Sequence, residues 1–405
     1  MSQTNPHLPR LGRRGLLLGL SALAVAGNAR LALASGAPPA SHAERRLVVV
    51  LLRGAMDGMA LLAPYGDPDY RALRGAVALP EPGQENGLLE CGGFFGLHPR
   101  LGGMHRCFRE GSLLPIHAVA GPYRNRSHFE AQDMMESGTD HRLSSGWLNR
   151  ALAGLPARPA GRPEAALALG LDLPLLMRGP QPVGMWAPPR RLRPDPDLYA
   201  RMADLLHADP LLGPSLREGL RGRGYAEGVL GGAPPAKGGF AALAGTAGRL
   251  LAAPGGPRVA ALEMGGWDTH VDQTRRMDPV LGQLDEGLMA LRETLGEAAW
   301  NQTAILVMTE FGRTARANGD NGTDHGTGGA ALLAGGAIRG GRVLADWPGL
   351  AESQLYEKRD LQPTRDLRAI AKGLLRDHLG LDARAIAAAF PDSGEVAPEA
   401  GLLRG

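Results

Sequence analysis

Apolar residues gather into a few short, unbroken runs separated by long stretches rich in glycine and proline. Arg45 to Leu52 (R-R-L-V-V-V-L-L) and Ala304 to Met308 are continuous and contain β-branched residues, the pattern of strands buried on both faces. Leu113 to Ala120, Ala165 to Leu171, Arg258 to Met264 and Ala330 to Ala334 are further runs of strand length. Helical patterns cover Leu101 to Phe108, Asp197 to Glu218, Phe240 to Ala252 and roughly Thr274 to Leu295. A last helix is expected from Thr364 to Leu379, with Leu367, Ile370, Leu374 and Leu375 on its inner face. Glu81 to Gly93 reads as loop and Pro180 to Pro194 as a proline-rich connection. Strands alternating with helices predict an α/β domain over about residues 43–400, a mostly parallel sheet sandwiched between helices in three layers, with a helical insertion at about 195–255.

The first 34 residues follow another pattern. Arg13-Arg14 precedes an apolar run from Gly15 to Ala26, and Ala32-Leu33-Ala34 is a small-x-small site where a signal peptidase would cut before Ser35. The run is short and softened by glycine, which argues against a membrane span. The paired arginines predict a twin-arginine signal, read by the twin-arginine export machinery; an ordinary secretory signal or an uncleaved anchor has the same features. Each reading places the mature chain outside the cytoplasm, in the periplasm or beyond.

Charge and cysteine content narrow the function classes. The formal net charge is +3, and Arg10, Arg13, Arg14 and Arg30 lie in the leader and its flank, so the domain is nearly neutral and lacks the basic footprint of a nucleic-acid partner. The 59 glycines and 32 prolines mark a loop-rich globular chain rather than a disordered one. Cys91 and Cys107 are compatible with a late disulfide or with two buried thiols, and their spacing is not that of a zinc knuckle.

Chemistry-bearing residues recur just past the strand ends, the edge at which open α/β sheets bind ligands. Asp57 follows the first strand, although Asp57-Gly58 is equally a turn dipeptide. Ser127 opens a helix after the Leu113 to Ala120 strand. Ser127-x-x-Glu130 is a capping box, and a hydroxyl at a helix N-terminus is also how a nucleophile is presented, with Arg124 and Arg126 adding positive charge and His128 next in line. In extended backbone Asp268, His270 and Asp272 would share one face, a reasonable ligand set for a divalent ion; Asp268 would otherwise cap the following helix. Glu310 ends the Ala304 to Met308 strand, and Asp324-His325-Gly326 lies in the loop beyond. Gly335-Gly336 and Gly340-Gly341 do not form the G-x-G-x-x-G of a dinucleotide site, which argues against an oxidoreductase.

Leu51 to Gly58 (L-L-R-G-A-M-D-G), Ser127-His128-Phe129, Gly266-Trp267-Asp268-Thr269-His270, Glu310-Phe311-Gly312-Arg313 and Gly322-Thr323-Asp324-His325-Gly326, in this order, resemble the DUF1501 family of exported bacterial proteins. That family is grouped with the alkaline phosphatase and sulfatase superfamily. The resemblance therefore implies an alkaline phosphatase-like sheet, one or two divalent ions (zinc, manganese, calcium or magnesium) and an anionic phosphate or sulfate ester as substrate. It implies metal roles for Asp57, Asp268, His270, Glu310 and His325, a nucleophile's place for Ser127, and leaves Arg313 and Arg126 to grip the anionic group. Phe311 stands where the superfamily usually has histidine, and Glu310 where it has aspartate, which implies a metal subsite that is absent or rebuilt from Asp324 or His128. The rival expectation is a non-catalytic exported binding protein of the same fold, acting with a surface polymer or with a partner such as an exported DUF1800 protein.

Overall fold

The computed structural model describes residues 44–157, 164–188, 201–202, 205–206, 209, 212–231 and 238–404. The expected leader at 1–34, and the expected insertion through most of 195–211, lie outside the described residues. Eight strands form the main sheet: β1 (Arg46–Leu52), β5 (Leu113–Ala120), β6 (Ala166–Leu169), β7 (Gly184–Trp186), β8 (Val259–Met264), β9 (Thr303–Thr309), β10 (Gly329–Ala334) and β11 (Arg365–Asp366). Their order is β11-β5-β10-β9-β1-β8-β6-β7. Among the described residues only β10 runs against its neighbours, β5 and β9, and the other pairings of this sheet are parallel. The remaining strands, β2 (Leu62–Ala63), β3 (Leu89–Cys91) and β4 (Phe95–Leu97), make a small antiparallel sheet in the order β2-β4-β3.

β1 shows why the sheet is sandwiched. Val48, Val50 and Leu52 enter one core with Met104, Phe240, Leu250, Leu281 and Leu288, while Leu47, Val49 and Leu51 enter a second with Trp147, Leu148, Ile370 and Ile386. Alternation along a strand thus feeds two apolar layers, and helices cover both. Gly102–Arg109, Gly239–Ala252 and Gln273–Trp300 lie on the first face; His128–Ser137, Trp147–Leu152, Leu367–Gly373 and Ala383–Ala389 lie on the second.

The departures from expectation are local. β3 and β7 are three-residue strands inside stretches read as loop or connection, too short to show a period of two and held by pairing alone. The expected Thr364 to Leu379 helix starts only at Leu367, because the Asp366 carboxylate accepts the Arg368 N–H at 2.8 Å as an N-cap, and it widens into a π-helical turn over Leu374–His378. Cys91 and Cys107 are both buried and free, and burial pushes the Cys91 thiol up to about 12. Among the described residues no helix is long and apolar enough to cross a membrane.

Candidate metal centre

The loops past β1, β5, β8 and β9 meet at the carboxyl edge of the sheet. Since β10 is antiparallel to β9, the loop between them returns to the edge it left, so one segment supplies Glu310 and Arg313 at its start and Asp324 and His325 near its end. The two arms of this loop pair with each other: Gly326 N–H donates to the Gly312 carbonyl at 2.8 Å and Gly312 N–H to that of Thr327 at 3.0 Å. A Cβ on Gly312 would stand 1.9 Å from the Gly328 oxygen, and one on Gly326 would stand 2.3 Å from the Arg313 carbonyl carbon, so neither position admits a side chain.

Three donor atoms converge at the centre. His128 Nε2 lies 2.9 Å from His325 Nε2, and Asp268 Oδ1 lies 3.6 Å from the first and 3.4 Å from the second. A tetrahedral ion with ligands at about 2.0–2.1 Å needs donors about 3.3 Å apart, so these three fit one face of such a polyhedron and leave its fourth corner open. His270 adjoins the group, with its Nε2 3.0 Å from both His325 Nε2 and Asp268 Oδ1.

The far side of each ring determines what the near side offers. His128 Nδ1 meets the Glu310 carboxylate at 2.8 Å, His325 Nδ1 meets the Arg126 carbonyl at 2.9 Å, and His270 Nδ1 meets the Asp324 carboxylate at 3.1 Å. All three partners are acceptors, so each Nδ1 carries a hydrogen, and a ring in its neutral form turns an Nε2 lone pair inward. Lone pairs facing one another and a carboxylate at these distances repel unless a cation or a shared proton lies between them, and outer acceptors of this kind are the usual companions of ligating histidines.

Electrostatics act differently on the members of the group: they favour a neutral His325 and ionised Glu310 and Asp268, and a protonated His128 where no cation takes the proton's place. Burial of Glu310 favours its neutral form, but hydrogen bonds from His128, Gln132 and the Gly54 N–H outweigh it and bring the pKa to about 2. The Glu310 hydrogen bond in turn raises His128, against the effect of burial. Burial lowers His325, aided by the neighbouring His128 and Arg313 and opposed by the Arg126 carbonyl. Asp268 is held ionised: burial opposes it, and the Arg313 guanidinium prevails.

Several expected site residues stand elsewhere. Asp57 is buried and its carboxylate is filled by four donors: Met59 N–H at 3.0 Å, Ala60 N–H at 3.2 Å, Gln273 Nε2 at 2.7 Å and the buried Arg74 guanidinium. Its contribution to the centre is made from behind, because Gln273 Oε1 accepts from Thr269 at 3.0 Å and Thr323 at 2.6 Å, which lie beside the ligand segments. Glu310 stands behind His128, with Oε1 accepting from His128, Gln132 and Gly54 and Oε2 from Thr309. Arg313 is buried and donates to the carbonyls of Gly54, Ala55, Trp267 and Thr323 as well as to Asp268, so it is a strut rather than a grip on substrate. The Arg126 guanidinium is paired with Glu357 and Asp360. Asp272 adopts a left-handed φ of 50°, its carboxylate pairs with Arg275, and it is not among the convergent donors. Asp268 does not cap the next helix, whose N-cap position is Asp272 without a side-chain bond.

Ser127 occupies the N-cap position of the His128–Ser137 helix but makes no capping bond, and Glu130 accepts from the Tyr123 hydroxyl instead, so the expected capping box does not form. His128, which the sequence offered only as a secondary candidate, is a full member of the convergent group, its ring stacked on Phe311 with centroids 5.0 Å apart. The sequence singled out neither Arg74 nor Gln273; an arginine and a glutamine in amphipathic segments carry no local signal of a buried acid awaiting them.

Residues 114–390 match the family described as "Protein of unknown function (DUF1501)", more than half of the chain, and the protein belongs to that family. No curated protein matches. Among solved structures, the chain is similar to the C-terminal periplasmic domain of EcEptC from Escherichia coli in complex with zinc, at 8% identity, 72% of this chain, 73% of that one and a TM-score of 0.36. It is also similar to an alkaline phosphatase superfamily protein of Vibrio parahaemolyticus (10%, 84% and 67%, TM-score 0.32) and to the phosphonate monoester hydrolase of Agrobacterium radiobacter (12%, 84% and 74%, TM-score 0.33).

Proposed function

We propose that the protein is a divalent-metal-dependent hydrolase of phosphate or sulfate esters, with His128, Asp268 and His325 as the ligands and His270 at their flank. The observation that carries this reading is the convergence of two Nε2 atoms and one carboxylate oxygen, with an acceptor behind the Nδ1 of each imidazole. An ion held there would act as a Lewis acid on an ester and lower the pKa of water. The side chains of Asp268 and His270 are 47% and 41% exposed, so the open corner faces solvent and a substrate can reach it. Ser127, adjacent to His128 and free of the helix cap, is the chain's own candidate nucleophile. Export through the Arg13-Arg14 leader belongs to the same reading and rests on sequence.

Elemental analysis of protein purified without added metal or chelator tests the ligand set. About one equivalent of divalent ion is expected, as befits three protein donors and an open position, and it should be lost in His128→Ala and His325→Ala. Turnover on a panel of phosphate and sulfate monoesters, abolished together with the metal, supports hydrolysis. Loss of turnover in Ser127→Ala with metal retained assigns the serine as nucleophile. Phe311 favours the second reading, a non-catalytic binding protein: its ring lies 5.0 Å from that of His128 and 5.2 Å from that of His325, filling space a further ligand would need. Tight metal, no turnover and an indifferent Ser127→Ala would decide for that reading.

A further inference from the structure

Two consecutive residues outside the centre, Arg359 and Asp360, hold His325 from three directions. Asp360 is fully buried, and its Oδ2 accepts from Arg126 Nε at 2.8 Å and from the Thr327 hydroxyl at 2.8 Å. Arg126 supplies the carbonyl that receives His325 Nδ1–H, while Thr327 follows His325 in the same loop. Arg359 donates to the backbone carbonyl of His325 itself. Arg126 also has a φ of 63°, a left-handed conformation that a side-chain-bearing residue keeps only when its surroundings impose it. If Arg126 relaxed to an ordinary backbone conformation, its carbonyl would swing away from the imidazole and His325 would lose the acceptor that selects its tautomer.

We propose that Asp360 is a positioning residue for the metal centre: by anchoring the Arg126 guanidinium and the Thr327 hydroxyl, it keeps the Arg126 carbonyl on His325 Nδ1–H and so aims the Nε2 lone pair at Asp268 and His128. This rests on the metal-centre reading above. It differs from a plain ion pair tying two loops together, because it makes the tautomer and aim of a ring two contacts away depend on one buried carboxylate. The left-handed Arg126 is strained for a purpose: its carbonyl, not its charge, is what reaches the centre.

The test uses the full chain, freed of metal with a chelator, as wild type, Asp360→Asn and Arg126→Gly. Glycine reaches φ near 63° without strain but is equally free to leave it, so the second variant removes the guanidinium anchor without adding a clash and lets the carbonyl move, and it covers the case in which Asp360→Asn folds poorly. Nitrogen-15 NMR of the imidazoles should show a single Nδ1–H tautomer for His325 in the wild type and a mixture in both variants. Zinc affinity, read by competition with a chromogenic chelator, should fall roughly ten-fold, the lower end of what loss of an outer partner costs. A single His325 tautomer and unchanged zinc affinity in both variants, with only a lower melting temperature, would overturn the proposal and leave Asp360 as a loop tie. A wild type with mixed tautomers would also overturn it. If the wild type takes up no zinc, the metal reading fails by itself, and the tautomer measurement still decides the role of Asp360.

Discussion

Asp57 and Asp268 follow the ends of adjacent parallel strands, β1 and β8, and could have changed places in any reading of the sequence. In the fold they have opposite fates. Asp57 is dry, 1% exposed, and every lone pair it can offer points at a donor of its own chain. The Asp268 side chain is 47% exposed, takes one strong donor from Arg313, and turns the same oxygen toward three imidazoles. An acid at the carboxyl edge of a sheet is therefore not yet a ligand. What makes it one is that the protein leaves part of its coordination unsatisfied and collects other donors around it.

Breaking the dry side should have the largest effect on stability. Arg74→Met leaves the buried Asp57 carboxylate without its cation and should cost about 3–5 kcal/mol in urea unfolding, with metal content unchanged. A cost below about 1 kcal/mol would remove the contrast between the two aspartates. The wet side should behave the other way. Asp268→Ala should lower metal affinity by about 100-fold or more, with a much smaller effect on the unfolding of metal-free protein, since this carboxylate is half in solvent. Retained affinity would mean that the ion, if any, lies elsewhere.

Glu310→Gln sharpens the comparison from between the two. It keeps the shape behind His128 but removes the charge that fixes the Nδ1–H, and metal affinity measured by chelator competition should fall about 10–100-fold. The smallest effect is a pH dependence on the dry side. His117 is fully buried, with Nε2 donating to the Leu62 carbonyl at 2.9 Å and Nδ1 accepting from the Ala118 N–H at 2.8 Å, and burial lowers its pKa from 6.5 to about 4. Its folded pKa lies below the unfolded one, so between these values the unfolded chain binds the extra proton and stability falls as the pH is lowered. From pH 6 to pH 5 this one group should cost about 1 kcal/mol, and His117→Gln should flatten that part of the curve.

Much of the fold was legible because its signals are local. The buried strands β1, β5, β8 and β9 stand within a residue of the apolar runs that predicted them, since a continuous run of β-branched and aliphatic residues has few other places to go. β3 and β7 were not legible, because three residues carry no period and exist as strands only through their partners. The same division runs through the site. Asp268, His270 and His325 announced themselves by residue type after a strand end. The capping box at Ser127 was a sound local pattern that lost its acid to Tyr123, a residue of the preceding loop whose hydroxyl comes within reach only when that loop folds back.

Sequence by itself determined the layered α/β domain, the edge at which its polar loops collect, and the supply of carboxylates and imidazoles there. Tertiary structure decided which of them is free to bind. Arg74 reaches Asp57 from 17 positions away and Gln273 from 216, and His128 meets His325 across 197. A carboxylate has a fixed number of lone pairs, and whether they face an ion or an arginine depends on donors that the chain brings in from such distances. No window along the sequence contains that information.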